Sequence, residues 1–276
     1  MGRKVQGNLV IIGGAEDKRE DKVILREVVR LAGGRNAKVA VVAVAAEDQE
    51  HLGSEYENIF RELGVAGVGV VHVNSRRDAS LQANVAEIAG ATGVFFTGGD
   101  QLRITSLMGG TELDRELHRA YERGVVIAGT SAGASAMTDT MIVEGDQEDA
   151  PRNLAIRMAP GMGLLEEVVV DQHFAQRGRI GRLMLAVAQN PYILGVGIDE
   201  DTAVVVDAQA RFKVIGSGTV TVIDGTSLEH SSVSERELNQ PVAIIGATVH
   251  VLAPGYGFDL ASRLPLPPHG AVTAAR

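Results

Sequence analysis

Cysteine is absent from the 276-residue sequence. That excludes a disulfide framework, a thiolate nucleophile and a thiolate metal site, and leaves serine, threonine, lysine or a carboxylate as covalent catalysts. A basic surplus is absent too. With a formal net charge of -9, the overall field repels phosphate backbones and anionic headgroups, so neither nucleic acid nor a membrane surface is an expected partner. Long hydrophobic runs are also lacking. The N-terminal apolar stretch covers only residues 9–12, too short for a signal-peptide core or a bilayer span, and Gln6 stands where a myristoylation signal requires Ser or Thr. A cytoplasmic protein is expected. No two histidines are spaced i, i+3 or i, i+4, so a zinc site has no support. Gly13-Gly-Ala-Glu-Asp17 follows an apolar run but lacks the G-x-G-x-x-G spacing and puts two carboxyl groups where a pyrophosphate would lie. No metal or organic cofactor is expected.

What is present is an ordinary globular composition, 45% hydrophobic and 22% charged, in a chain long enough to bury most of the surface it exposes when unfolded. Residues 1–276 are expected to form one domain. Residues 8–12, 38–44, 68–73, 93–97 and 124–128 are short runs of continuous hydrophobicity, the pattern of strands buried on both faces. Between them, residues 21–32 place Ile24, Val28 and Leu31 at helical spacing, and residues 54–63 and 113–121 also have helical character. Strand then helix, repeated, predicts an α/β fold with a mostly parallel sheet between helical layers. After residue 195 the pattern changes to closely spaced strands at 202–207, 211–215, 218–223 and 248–252. These predict a C-terminal antiparallel extension of the same sheet or a small flanking one. Residues 229–240 read as a surface loop or short helix, and the tail from Pro265, with three prolines in four residues, as irregular.

The most informative stretch is residues 125–137, an apolar strand, a turn of small residues and then helix-forming residues, in which Gly129, Ser131 and Gly133 match G-x-S-x-G. A nucleophile elbow needs small neighbours because the backbone is strained at the serine and adjoining chains approach closely. The hydroxyl then stands at the carboxyl end of the sheet, where open α/β folds place their sites, with a helix N-terminus behind it. Ser and Thr also cap ordinary helices. A cap needs one such residue, however, whereas every residue from 129 to 136 is small.

A nucleophilic serine needs a base. Of the seven histidines, His173 stands at the end of an apolar strand beside Asp171 and Gln172. His51, His118, His230 and His269 lie in polar surroundings that read as solvated, and His72 and His250 fall in strand patterns that read as structural. The orienting acid should come from another strand end, and the apolar run before residue 199 offers Asp199, Glu200 and Asp201. Glu200 is preferred, although spacing alone does not separate the three. The implied order is Ser, His, acid, unlike the Ser, acid, His order of the α/β-hydrolases. Residues 95–101 read as a strand and a glycine turn. That turn suits a backbone N–H, that of Gly99, to approach a reacting carbonyl and with the N–H of Ala132 to form an oxyanion hole, although Gly-Gly is also common in ordinary βα turns. Farther on, Ile180, Leu183, Met184 and Val187 form one apolar helical stripe, with Arg179 and Arg182 on the opposite side, the usual place of a solvated surface.

Taken together, these motifs resemble the cyanophycinases, of the serine peptidase family that also contains aspartyl dipeptidase. The resemblance runs through most of the chain, from residues 13–18 through 96–101, 129–135 and 171–174 to 177–182. It implies Ser131 as nucleophile, His173 as base and Glu200 as third member, and selects Glu200 over its neighbours. It implies a fold like that of class I glutamine amidotransferases and a homodimer. The implied substrate is cyanophycin, a polyaspartate backbone bearing arginine on each β-carboxyl, cleaved to β-aspartyl-arginine dipeptides. Gln101, Asp171, Gln172, Arg177, Arg179 and Arg182 match the positions that line the family's substrate pocket. Guanidinium groups suit carboxylates there, and Asp171 is expected to receive the substrate's own guanidinium. An aspartyl or isoaspartyl dipeptidase of the same family is the alternative, sharing the triad without needing the arginine-recognising groups.

Overall fold

The computed structural model describes residues 7–144, 151, 156–235, 237 and 240–268. Gln6, the basic N-terminal residues, His269, the end of the proline-rich tail and parts of the 229–240 segment lie outside them. In chain order the first part alternates strand and helix: β1 (Leu9–Ile12), α1 (Val23–Leu31), β2 (Lys38–Val42), α2 (Gln49–Glu62), β3 (Gly67–Val71), α3 (Gln82–Gly90) and β4 (Gly93–Phe96). It continues through α4 (Gln101–Met108), α5 (Glu112–Glu122), β5 (Val126–Thr130) and the short α6 (Ala132–Ser135). There follow β6 (Thr140–Glu144), β7 (Arg157–Pro160), β8 (Val168–Gln172), α7 (Ile180–Gln189), β9 (Leu194–Ile198) and β10 (Thr202–Val206). Next come β11 (Arg211–Gly216), β12 (Val220–Asp224), β13 (His230–Ser231) and β14 (Ile244–Ile245). The last described strands are β15 (Thr248–Leu252), β16 (Gly257–Asp259) and β17 (Leu264–Leu266).

The central sheet has nine strands in the order β17-β16-β11-β10-β1-β5-β4-β2-β3. Strands β3, β2, β4, β5 and β1 run parallel, and from β10 outward the pairing is antiparallel. A second, four-stranded sheet has the order β15-β12-β9-β8, with β8 and β9 parallel. The late strands therefore do both things their spacing allowed: β10, β11, β16 and β17 extend the main sheet, while β12 and β15 complete the flanking one. Pro265, expected in an irregular tail, lies in β17 at the sheet edge, where a residue without an N–H is tolerated because one side of the strand needs no partner. Within the segment expected as loop or short helix, His230 and Ser231 pair with β14.

Alternation along β1 shows how the layers arise. Leu9 and Ile11 enter one core and Val10 and Ile12 the other, so a strand that is apolar at every position is buried on both faces. Helices α1 and α2 cover one face with Ile24, Leu25, Val28, Tyr56, Ile59 and Phe60. On the other face lie Ile88, Ile104, Leu113 and Leu117 from α3, α4 and α5, together with Val170, Val196 and Val222 of the second sheet. Helix starts follow local chemistry: Asp48 accepts from the His51 N–H at 2.9 Å at the head of α2, and Asp100 accepts from the Leu102 N–H at 2.8 Å at the head of α4.

Candidate active site

Strand β5 ends at Thr130, and Ser131 follows with φ 54° and ψ -111° before α6 begins. A side chain is rarely held there, and the surroundings fix it: the Ser131 N–H donates to Ile12 O at 3.0 Å, locking the turn to the end of β1. The two glycines flanking the serine are steric requirements. A Cβ on Gly129 would lie 2.7 Å from the Gly133 backbone, and one on Gly133 would lie 2.7 Å from the Phe96 Cβ and carbonyl oxygen. No larger residue fits on either side without moving backbone.

The other groups arrive from the second sheet. Strands β8 and β9 pair in parallel with Gln172 opposite Ile198, so their carboxyl ends emerge side by side and carry His173 and the acids at 199–201 to one place. Ser131 Oγ is 3.0 Å from His173 Nε2, and His173 Nδ1 is 2.6 Å from Glu200 Oε1. Asp199 and Asp201 face elsewhere. Asp199 accepts from the Ala175 N–H and from the N–H and hydroxyl of Thr219, and Asp201 accepts from the Asp17 N–H and the Ser217 hydroxyl. Burial pushes the His173 pKa below its ordinary value; the charges of Arg177 and Arg179 act in the same direction, and the hydrogen bond to Glu200 opposes them. The shift favours the neutral ring, the state a base requires.

His173 itself is held in the left-handed region, φ 48°, by the loop after β1. Its N–H donates to Gly13 O at 2.7 Å, and Gly14, at φ 97°, lies so close that a Cβ there would be 3.0 Å from Nδ1 and nearer still to Cε1 and Nε2. The Gly-Gly pair that invites a nucleotide reading is thus the seat of an imidazole. Its signal was present in the sequence but points to a close approach of unstated kind.

Gly98 and Gly99 follow β4 beside the serine, with a Cβ on Gly98 lying 3.5 Å from Ser131 Cβ. Gly99 has φ 139°, and Ala132 is the first residue of α6. Gln101 opens α4, and its side-chain amide donates to Ile142 O at 3.0 Å. Arg177 is exposed.

The remaining residues form a buried ionic cluster. Asp171 is 1% exposed, Arg179 5% and Arg182 6%. Arg182 Nε donates to Asp171 Oδ2 at 2.6 Å and its Nη2 donates to Oδ1. Arg179 Nη1 donates to Asp171 Oδ1 at 3.2 Å, to Gln172 O at 2.5 Å and to Gln172 Oε1 at 3.1 Å. Burial lowers the Arg179 pKa to about 10, with Asp171 opposing the shift. The arginines that helix spacing alone leaves on a solvated face are inside, because each is paired, and Asp171 binds guanidinium groups of its own chain. Arg179 Nε is buried without a hydrogen-bond partner among the described residues.

Residues 9–214 match peptidase family S51. The chain is 37% identical over 256 residues to a cyanophycinase of Synechococcus elongatus, covering 92% of this chain and 80% of that protein. It is 38% identical over 261 residues to a cyanophycinase of Nostoc sp. (strain PCC 7120), covering 94% and 87%. A cyanophycinase of Geminocystis herdmanii is 34% identical over 267 residues, covering 96% and 98%. Among solved structures, a peptidase from an acI-B1 Actinobacterium shares the fold with a TM-score of 0.70 at 18% identity, covering 94% of this chain and 98% of that one. The family match over residues 9–214 and the relatives at 34–38% identity over most of the chain show it: the chain belongs to peptidase family S51.

Proposed function

We propose that the protein is a serine-type peptidase that hydrolyses the polyaspartate backbone of cyanophycin, releasing β-aspartyl-arginine dipeptides, with residues 1–276 acting as one catalytic domain. The observation that carries the chemistry is the relay of 3.0 Å from Ser131 to His173 and 2.6 Å from His173 to Glu200. His173 takes the Ser131 proton as the hydroxyl attacks the backbone carbonyl, and Glu200 holds the imidazole in the tautomer that presents Nε2 as acceptor. The N–H groups of Gly99 and Ala132 receive the oxyanion, an interaction whose single-donor loss costs about 2.7–4 kcal/mol of barrier. His173 then protonates the leaving amine, and water releases the acyl group by the same steps in reverse. No metal or organic cofactor takes part.

The substrate reading is supported by the cyanophycinases at 34–38% identity over most of the chain. In this reading Gln101, Gln172, Arg177, Arg179 and Arg182 face the substrate, and Asp171 holds the two buried arginines in place for its carboxylates. The enzyme is read as a cytoplasmic homodimer; no described helix is long and apolar enough to cross a membrane. The test is incubation with insoluble cyanophycin, mass analysis of the soluble products, and Ser131→Ala alongside. Release of β-aspartyl-arginine by the wild type and not by the variant is the expected result. Equal release by both would refute the nucleophile, and activity on short aspartyl peptides alone would refute the polymer.

A further inference from the structure

The loop after β1 touches more of the site than the histidine. Glu16 is 4% exposed, and each of its carboxyl oxygens accepts one hydroxyl: Oε1 from Tyr56, and Oε2 from Thr130 at 2.5 Å. Thr130 is the residue before Ser131 and is itself buried. Tyr56 comes from α2, and its ring lies 4.6 Å from that of Phe95 in β4, the strand that leads into the Gly98-Gly99 turn. Burial, with Glu16 adding to it, raises the Tyr56 pKa well above its ordinary value, so its hydroxyl keeps its proton and remains a donor. An apolar side chain would fill this space at lower desolvation cost than a carboxyl group, and no step of acyl transfer uses Glu16.

The same short loop reaches the other two arms of the relay through its backbone. Gly13 O receives the His173 N–H, and Gly14 O receives the N–H of Asp201, next to Glu200, at 2.9 Å. The Asp17 N–H donates to the Asp201 carboxylate at 2.9 Å. Residues 13–17 thus hold Ser131 through Thr130, His173 directly, and Glu200 through its neighbour. Only the first of these links uses a side chain of residues 13–17, and that side chain is Glu16.

We infer that Glu16 is a positioning residue: by fixing the Thr130 hydroxyl it sets the strained Ser131 turn at the distance His173 requires. The inference rests on the reading of Ser131 as nucleophile. It predicts that losing the bond displaces Oγ from the base without touching the substrate's binding groups, so the reaction rate falls and KM does not rise. Misplacement of a reacting group by about 1 Å costs on the order of a hundredfold in rate, and partial relaxation leaves roughly tenfold or more.

The experiment compares wild type, Thr130→Val, Glu16→Ala and Glu16→Gln in two assays: turnover of cyanophycin, and the rate at which a small uncharged fluorophosphonate labels Ser131. Thr130→Val keeps the shape of the side chain and removes only the hydroxyl, so it serves if Glu16→Ala does not fold. Glu16→Gln keeps one acceptor and restores part of the rate. The expected result is a parallel fall in kcat and labelling rate of roughly tenfold or more in Thr130→Val and Glu16→Ala, with KM within about twofold of wild type. Unchanged labelling in both variants, or a raised KM at unchanged kcat, would overturn the role of Glu16. A wild type whose Ser131 resists the probe would instead overturn the nucleophile reading beneath it.

Discussion

Replacing Gly14 by alanine separates the two jobs that a positive-φ glycine can have. At φ 97° an alanine pays a backbone penalty of about 1–2 kcal/mol. At Gly14 the new methyl group also lies 3.0 Å from His173 Nδ1, with Cε1 and Nε2 nearer still. Non-bonded carbon atoms rest about 3.5–4.0 Å apart, so the ring must retreat by about 1 Å. That movement opens the 3.0 Å contact with Ser131 and the 2.6 Å contact with Glu200 together. Gly14→Ala should therefore lower kcat/KM by on the order of a hundredfold. Gly64 is the control: it has φ 78° and nothing within 4 Å of a Cβ, so Gly64→Ala carries the backbone penalty alone. In urea titrations Gly64→Ala should lose the backbone penalty alone and Gly14→Ala that penalty plus about 1–3 kcal/mol for the displaced ring, and only Gly14→Ala should lose activity. Activity of Gly14→Ala within about threefold of wild type would refute the claim that the loop seats the imidazole.

Two further outcomes follow from the charges around the site. Asp171→Asn leaves two buried guanidinium groups uncompensated and should cost about 3–5 kcal/mol. Thermal melting followed by circular dichroism should show this as a fall on the order of ten degrees, and a fall of less than about two degrees would mean that the cluster is solvated. In the pH profile of kcat/KM, the acidic limb should lie below the ordinary histidine value of about 6.5, because burial and the nearby arginines disfavour the imidazolium. Arg177→Gln removes one of those positive charges and should move the limb upward, less so in high salt since Arg177 is exposed. A limb that stays in place or moves down would count against the stated cause.

The parts of the fold that come from local pattern were legible. Five apolar runs before residue 130 are strands of the central sheet, and the G-x-S-x-G turn carries its own steric logic in Gly129 and Gly133. What long-range geometry decides was not. Spacing offered Asp199, Glu200 and Asp201 equally; they separate only because Asp199 is taken by Ala175 and Thr219, and Asp201 by Asp17 and Ser217. Helical periodicity puts Arg179 and Arg182 opposite an apolar stripe, which does not distinguish a solvated face from a pocket wall. Their burial depends on Asp171, a partner on β8 that no helix wheel contains. By its own chemistry in the sequence Glu16 reads as a carboxyl group placed against a phosphate, since its two hydroxyl partners lie 40 and 114 residues away.

Topology also accounts for the order Ser, His, acid. The serine ends a strand of the central sheet, whereas His173 and Glu200 end two adjacent parallel strands, β8 and β9, joined by α7 as one βαβ unit. Within such a unit both carboxyl ends emerge on the same side, so base and acid meet across neighbouring strands whichever comes first in the chain, and the order itself carries no chemical weight. The same unit supplies Asp171 and Gln172 from β8, Arg177 and Arg179 from the turn before α7 and Arg182 from its first turn. His173 and the buried ionic cluster are thereby coupled: the ion pairs that clamp the start of α7 to β8 also fix the strand end that delivers His173. A change in the cluster should therefore reach the rate through the position of His173, while the β5 turn with Ser131 is built from separate strands and keeps its form.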